Sequence, residues 1–109
     1  MRIEIWSDVV CPWCFIGVKH LATAVDGQED VVIRHRAYEL QPSLPPEGVD
    51  RAGYFERIFG SLDAYNEANA HLIASAQGTG IAFNLEPMPK VANTHFAHRV
   101  VAVHDDDPI

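Results

Sequence analysis

The sequence predicts an α/β fold on three observations: an alternating run at its start, a helical period directly after it, and a second run rich in β-branched residues. Residues 2–6, Arg2-Ile3-Glu4-Ile5-Trp6, alternate polar and apolar as a half-buried strand does. After Pro12 the period changes. Cys14, Val18, Leu21 and Val25 recur at i, i+4, i+7 and i+11, one apolar stripe on a helix that Asp26-Gly27 ends. Cys11 therefore falls at the helix N-terminus, with Pro12 in the first turn, where its missing N–H costs nothing. Residues 31–40, Val31-Val32-Ile33-Arg34-His35-Arg36-Ala37-Tyr38-Glu39-Leu40, read as the second strand. Strand, helix, strand in that order predicts a parallel, right-handed βαβ unit.

The character shifts after Leu40. Gln41-Pro42-Ser43-Leu44-Pro45-Pro46-Glu47-Gly48 holds three prolines and reads as a stiff, exposed linker. A short amphipathic stretch from Tyr54 to Phe59 follows. Ser61 caps a longer helix with Tyr65, Ala68, Leu72 and Ala76 on one face, and Gly78 closes it. After a loop containing Pro87 and Pro89, Asn93 is the expected cap of a last helix patterned by Phe96, Ala97, Val100, Val101 and Val103. The aromatic set Tyr54, Phe55, Phe59 and Tyr65 keeps helical spacing and reads as core.

Composition narrows the function classes. At 109 residues the chain builds one core, and no apolar run approaches the ~20 residues of a membrane helix. Fifteen acidic against 8 basic residues give a net charge of −7, so phosphate backbones are repelled and nucleic acid is not an expected partner. Three of the acids, Asp105, Asp106 and Asp107, form a run that reads as a solvated tail. No secretory leader pattern precedes the first strand, which points to the cytoplasm.

Both cysteines, Cys11 and Cys14, lie in one Cys-x-x-Cys between a strand and a helix, the setting in which that motif reads as thioredoxin-like. A thiol at a helix N-terminus meets unpaired N–H groups and the positive end of the helix dipole, both of which favour thiolate. Cys11 is the expected nucleophile. Cys14, one turn on, is placed to close a disulfide onto it or to resolve a mixed disulfide. Pro12 and Trp13 form the substrate side, with Trp13 outward and offering apolar surface to a peptide or another flat substrate. The competing reading is half a zinc site, with His95 and His98 as the further ligands. Nothing in the sequence brings those histidines to Cys11, and no metal is expected. His98-Arg99 reads as structural at a helix end, with orientation of an anionic substrate as its alternative. Met88-Pro89 is a candidate cis-proline, although the segment after it reads as helix.

The stretch Ser7-Asp8-Val9-Val10-Cys11-Pro12-Trp13-Cys14-Phe15-Ile16-Gly17 resembles the active-site segment of the DsbA family of oxidoreductases, in the FrnE-like branch related to 2-hydroxychromene-2-carboxylate isomerases. Tyr38-Glu39-Leu40-Gln41-Pro42, Pro45-Pro46-Glu47-Gly48, Asn93-Thr94 and Ala97-His98-Arg99 agree with it in the same order. The resemblance implies a thioredoxin-like fold with a helical insertion, Cys11 attacking and Cys14 resolving. No cofactor is implied beyond a redox-active Cys11–Cys14 disulfide, with glutathione as a candidate co-substrate. Partners are then protein or small-molecule thiols and disulfides. Isomerases and kappa-class glutathione transferases of this superfamily carry serine at the first cysteine, so the pair present here favours disulfide exchange over that alternative. A redox-inactive or metal-binding fragment is the other alternative. Against the family pattern, residues 1–41 supply the N-terminal βαβ part and residues 42–109 the linker and helical insertion, with the C-terminal half of the fold absent. A strand edge left exposed in this way is expected to support self-association.

Overall fold

The computed structural model describes residues 1–85 and 88–104. Pro87 of the predicted loop and the acidic run from Asp105 to Asp107 lie outside the described residues. The chain separates into two compact units, one built from Met1–Pro42 and the chain from Thr94, the other from Ser43–Asn93.

In the first unit, β1 (Arg2–Ser7) leads into α1 (Pro12–Ala24), which leads into β2 (Val32–Ala37). The strands pair in parallel, Arg2 beside Val32 through Ser7 beside Ala37, as the strand, helix, strand order requires. The strand period of two puts Ile3, Ile5, Ile33 and Ala37 on one sheet face and Glu4, Arg34 and Arg36 on the other. There the Glu4 carboxylate accepts from Arg36 at 2.8 Å and Arg2 at 2.6 Å, which holds it below the usual carboxylate range. The stripe Cys14, Val18, Leu21 and Val25 on α1 is half-buried, and Ile16, outside the stripe, is the buried residue of this helix.

α4 (His95–Val103) belongs to this first unit and packs on β2, whereas the sequence groups it with the helices that follow the linker. The expected cap also moves. Thr94 is the N-cap, while Asn93 donates from Nδ2 to the Leu44 carbonyl at 2.6 Å. On α4 the apolar residues Phe96, Val100 and Val103 are 68%, 63% and 79% exposed, while His98 is buried. His98 makes a buried polar contact with the end of β1, described below.

The second unit begins where the predicted linker is tied down. Leu44 and Pro45 are half-buried, and Gly48 donates its N–H to the Pro45 carbonyl at 2.9 Å. Gly48 has φ +76°, and a Cβ there would lie 2.6 Å from the Val91 carbonyl oxygen, so only glycine fits. β3 (Val49–Asp50) pairs antiparallel with β4 (Lys90–Val91). These two-residue strands were not expected from periodicity. Asp50 caps α2 (Arg51–Phe59), Gly60 turns left-handed after it, and Ser61 caps α3 (Leu62–Ser75). As predicted, Leu72 and Ala76 are buried in this unit; the aromatic set packs on itself, with Phe55 and Tyr65 stacked at 4.8 Å, but Tyr54, Phe55 and Tyr65 are only half-buried and Phe59 is exposed. The Met88–Pro89 bond is trans and precedes a strand, not a helix, and the Pro89 carbonyl accepts the Arg51 N–H.

Candidate functional site at the start of α1

β1 ends at Ser7, and the chain turns through Asp8, Val9 and Val10 into Cys11, the N-cap of α1. Cys11 takes the extended backbone of a cap, φ −85° and ψ 108°, and its Sγ accepts the Cys14 N–H at 3.2 Å. A sulfur thus fills the place usually held by a serine or aspartate oxygen. Pro12 follows at the first helical position, so the spacing argument from sequence holds locally. Both cysteines are free thiols, and both are half-buried.

The thiol itself departs from expectation. Burial pushes Cys11 up to about 11, and the neighbouring Cys14 thiol pushes in the same direction; the N–H groups of Cys14 and Trp13 pull against that shift without reversing it. The helix-terminus donors predicted from the motif are therefore present, and they are outweighed by desolvation beside a second sulfur. Around the pair the surface is apolar: Val9, Val10, Trp13 and Phe15 are 56%, 40%, 52% and 48% exposed. Trp13 faces outward as predicted.

Sequence reasoning missed Asp8. Its carboxylate is buried where β1 ends, and its Oδ2 accepts the Leu40 N–H at 2.8 Å just beyond β2. Its Oδ1 accepts from Val10 N–H at 3.4 Å and lies 3.0 Å from His98 Nε2 of α4, and the Thr94 side chain adds a further hydrogen bond. Burial raises this carboxyl, but the four hydrogen bonds prevail and hold it below the usual carboxylate range. An ionised Asp8 is acceptor-only, so His98 donates from Nε2. The Asp8 backbone carbonyl meanwhile accepts the Cys11 N–H at 3.1 Å. The sequence signal for this cluster is that Asp8, Leu40, Thr94 and His98 fall in four of the segments quoted above; no periodicity links residues 90 apart.

Of the histidines weighed as metal ligands, His98 faces Asp8 and His95 Nδ1 lies 3.5 Å from Glu39. Among the described residues no group of three His, Cys, Asp or Glu side chains is placed to hold a metal ion. No helix of the described residues is long and apolar enough to cross a membrane.

A parallel βαβ unit with a cysteine pair at its helix start coincides with a family match that runs through residues 2–107, to the DSBA-like thioredoxin domain. The chain belongs to that family. Among solved structures of similar proteins, a probable DsbA oxidoreductase, SCO1869 from Streptomyces coelicolor, superposes with a TM-score of 0.85 at 26% identity, over 97% of this chain and 47% of that one. The uncharacterized protein YwbO of Bacillus subtilis (strain 168) is 38% identical over 47 residues, which is 43% of this chain and 23% of YwbO. The DSBA-like chain thus spans about half the length of the solved relative. The thioredoxin-like α/β fold expected from the sequence is the observed one, and the family is of thiol–disulfide oxidoreductase type.

Proposed function

We propose that this DSBA-like chain carries out thiol–disulfide exchange through Cys11 and Cys14, with Pro12 and Trp13 on the substrate side. The observation that supports this most is the Cys11 Sγ at the cap of α1, receiving the Cys14 N–H with the second thiol beside it. In the reductive direction the Cys11 thiolate attacks one sulfur of a substrate disulfide. The substrate S–S bond breaks, a mixed disulfide forms, and the released substrate thiolate takes up a proton. Cys14, deprotonated, then attacks the Cys11 sulfur, which releases the second substrate thiol and leaves a Cys11–Cys14 disulfide. Two electrons have passed from the dithiol to the substrate; oxidation of a substrate dithiol is the same sequence reversed.

The exposed collar of Val9, Val10, Trp13 and Phe15 suits protein thiols and disulfides, with small-molecule thiols such as glutathione serving to regenerate the pair. No cofactor other than its own disulfide enters this reading. It is a FrnE-like activity, in the cytoplasm, without nucleic acid or membrane partners. β1 pairs on one side only among the described residues, and that edge is our proposed route to self-association.

The test is equilibration of the chain in glutathione buffers of graded redox ratio, followed by acid quenching and mass mapping. A Cys11–Cys14 disulfide should appear as the buffer becomes oxidising, and Cys14→Ser should instead accumulate a mixed disulfide on Cys11. Two thiols that stay reduced throughout would end the exchange reading.

A further inference from the structure

We propose that Asp8 and His98 are positioning residues for the Cys11 thiol, an inference that rests on the exchange reading above. The carboxylate ties together the β1–α1 turn through Val10, the chain beyond β2 through Leu40, and the start of α4 through Thr94 and His98. The carbonyl of the same residue then holds the Cys11 N–H at 3.1 Å. The position of Cys11 is thus set by a residue whose side chain is fixed from three elements, while its sulfur is left to cap α1.

Two features distinguish this cluster from ordinary fold-holding contacts. A buried carboxylate–imidazole pair is a poor source of stability because both groups lose their hydration. Here the imidazole is also only half satisfied: His98 Nδ1 is buried and has no hydrogen-bond partner among the described residues. The second feature is Thr94. It is the N-cap of α4 yet gives that helix no side-chain cap bond, its side chain being engaged with Asp8. A capping group has been diverted to the carboxylate beside Cys11.

The consequence for the thiol has a definite sign. Burial is the largest influence keeping Cys11 protonated. Loosening the Asp8 cluster, by Asp8→Asn or by His98→Leu, lets Sγ meet water, and that favours thiolate.

The experiment is iodoacetamide alkylation of the chain over a pH series, with peptide mapping to follow Cys11 and Cys14 separately. Asp8→Asn and His98→Leu should each accelerate Cys11 about tenfold near pH 8, the equivalent of one pH unit in its ionisation. Cys14 should keep its wild-type rate, and His98→Gln, which retains a side-chain N–H donor, should restore the wild-type profile at Cys11. An unchanged Cys11 profile would overturn the proposal. So would equal acceleration of both cysteines, the signature of a helix start that has come undone, and so would His98→Gln behaving like His98→Leu. Disulfide formation by the wild-type chain in glutathione buffers is scored independently, so failure of the exchange reading and failure of the positioning role give different results.

Discussion

The helices of the two units begin in different ways. In the second unit α2 and α3 start on side-chain oxygens, Asp50 accepting the Gly53 N–H at 2.8 Å and Ser61 the Ala64 N–H at 3.1 Å. Those caps satisfy orphan N–H groups. In the first unit α1 starts on a sulfur, and α4 starts on a threonine whose side chain is engaged elsewhere. Cap positions that serve stability in one unit serve the thiol in the other. The polar contacts divide in the same way: the second unit supports its aromatic stack with an Arg51 guanidinium that reaches the Tyr65 hydroxyl at 2.9 Å, whereas the first buries a carboxylate against an imidazole with one nitrogen unpartnered among the described residues.

The sharpest way to separate the two uses is Cys11→Ser. Serine is a good N-cap, so unfolding in urea should shift by no more than about 0.5 kcal/mol. Disulfide reduction should fall to the background of free glutathione, because the alkoxide cannot replace thiolate at neutral pH. Residual exchange in this variant would place the chemistry elsewhere. The converse substitution belongs to the second unit. Phe55 is half-buried and packs on Tyr54, Phe59 and Tyr65, so Phe55→Ala should cost about 2 kcal/mol, less than at a fully buried site, in urea unfolding followed by circular dichroism. At concentrations of denaturant where the variant stays folded, Cys11 alkylation should match the wild type.

These differences bear on what the residues alone could reveal. β1, α1 and α3 were legible because each repeats a period within one element, β2 (Val32–Ala37, against 31–40 expected) because it is rich in β-branched residues, and Pro12 after Cys11 announced the cap. β3 and β4 were not, since two residues display no period. The buried side of α4 was not legible either. Phe96, Val100 and Val103 form the stronger local pattern, but which side of a helix is buried depends on its neighbours, and here the Asp8 carboxylate holds His98 inward. The direction of the Cys11 shift was hidden likewise. Helix-terminus donors can be read from spacing, whereas desolvation depends on packing that the motif does not encode.

Cys14 offers a pH test of that shift. A thiol raised from 9.0 to about 11 in the folded chain favours the neutral form on folding. Its contribution to stability is therefore complete below the ordinary thiol value and is lost as pH rises through the raised one. The wild type should lose stability across that alkaline interval, measured by urea unfolding at a series of pH values. Cys14→Ala removes the adjacent thiol and leaves the burial, so the loss should shrink without vanishing, and Cys11 alkylation near neutral pH should rise by less than about tenfold. An unshifted Cys11 profile would show that burial alone sets the thiol.

The smallest expected effect tests the comparison itself. Ser61→Ala deletes the cap bond to Ala64 and should cost about 1 kcal/mol, and Ser61→Gly only a few tenths, because water reaches the freed N–H. Neither should alter the pH profile of Cys11, since Ser61 caps a helix of the second unit and its oxygen has no part in the Asp8 cluster. Thr94→Val is the matched change in the first unit. It removes no side-chain cap bond, so on capping grounds alone it should be milder than Ser61→Ala, but it takes a donor from Asp8 and should move the Cys11 profile in the direction of Asp8→Asn. If Ser61→Ala moved that profile, or Thr94→Val left it unchanged, the division between caps that stabilise and caps that serve the thiol would not hold.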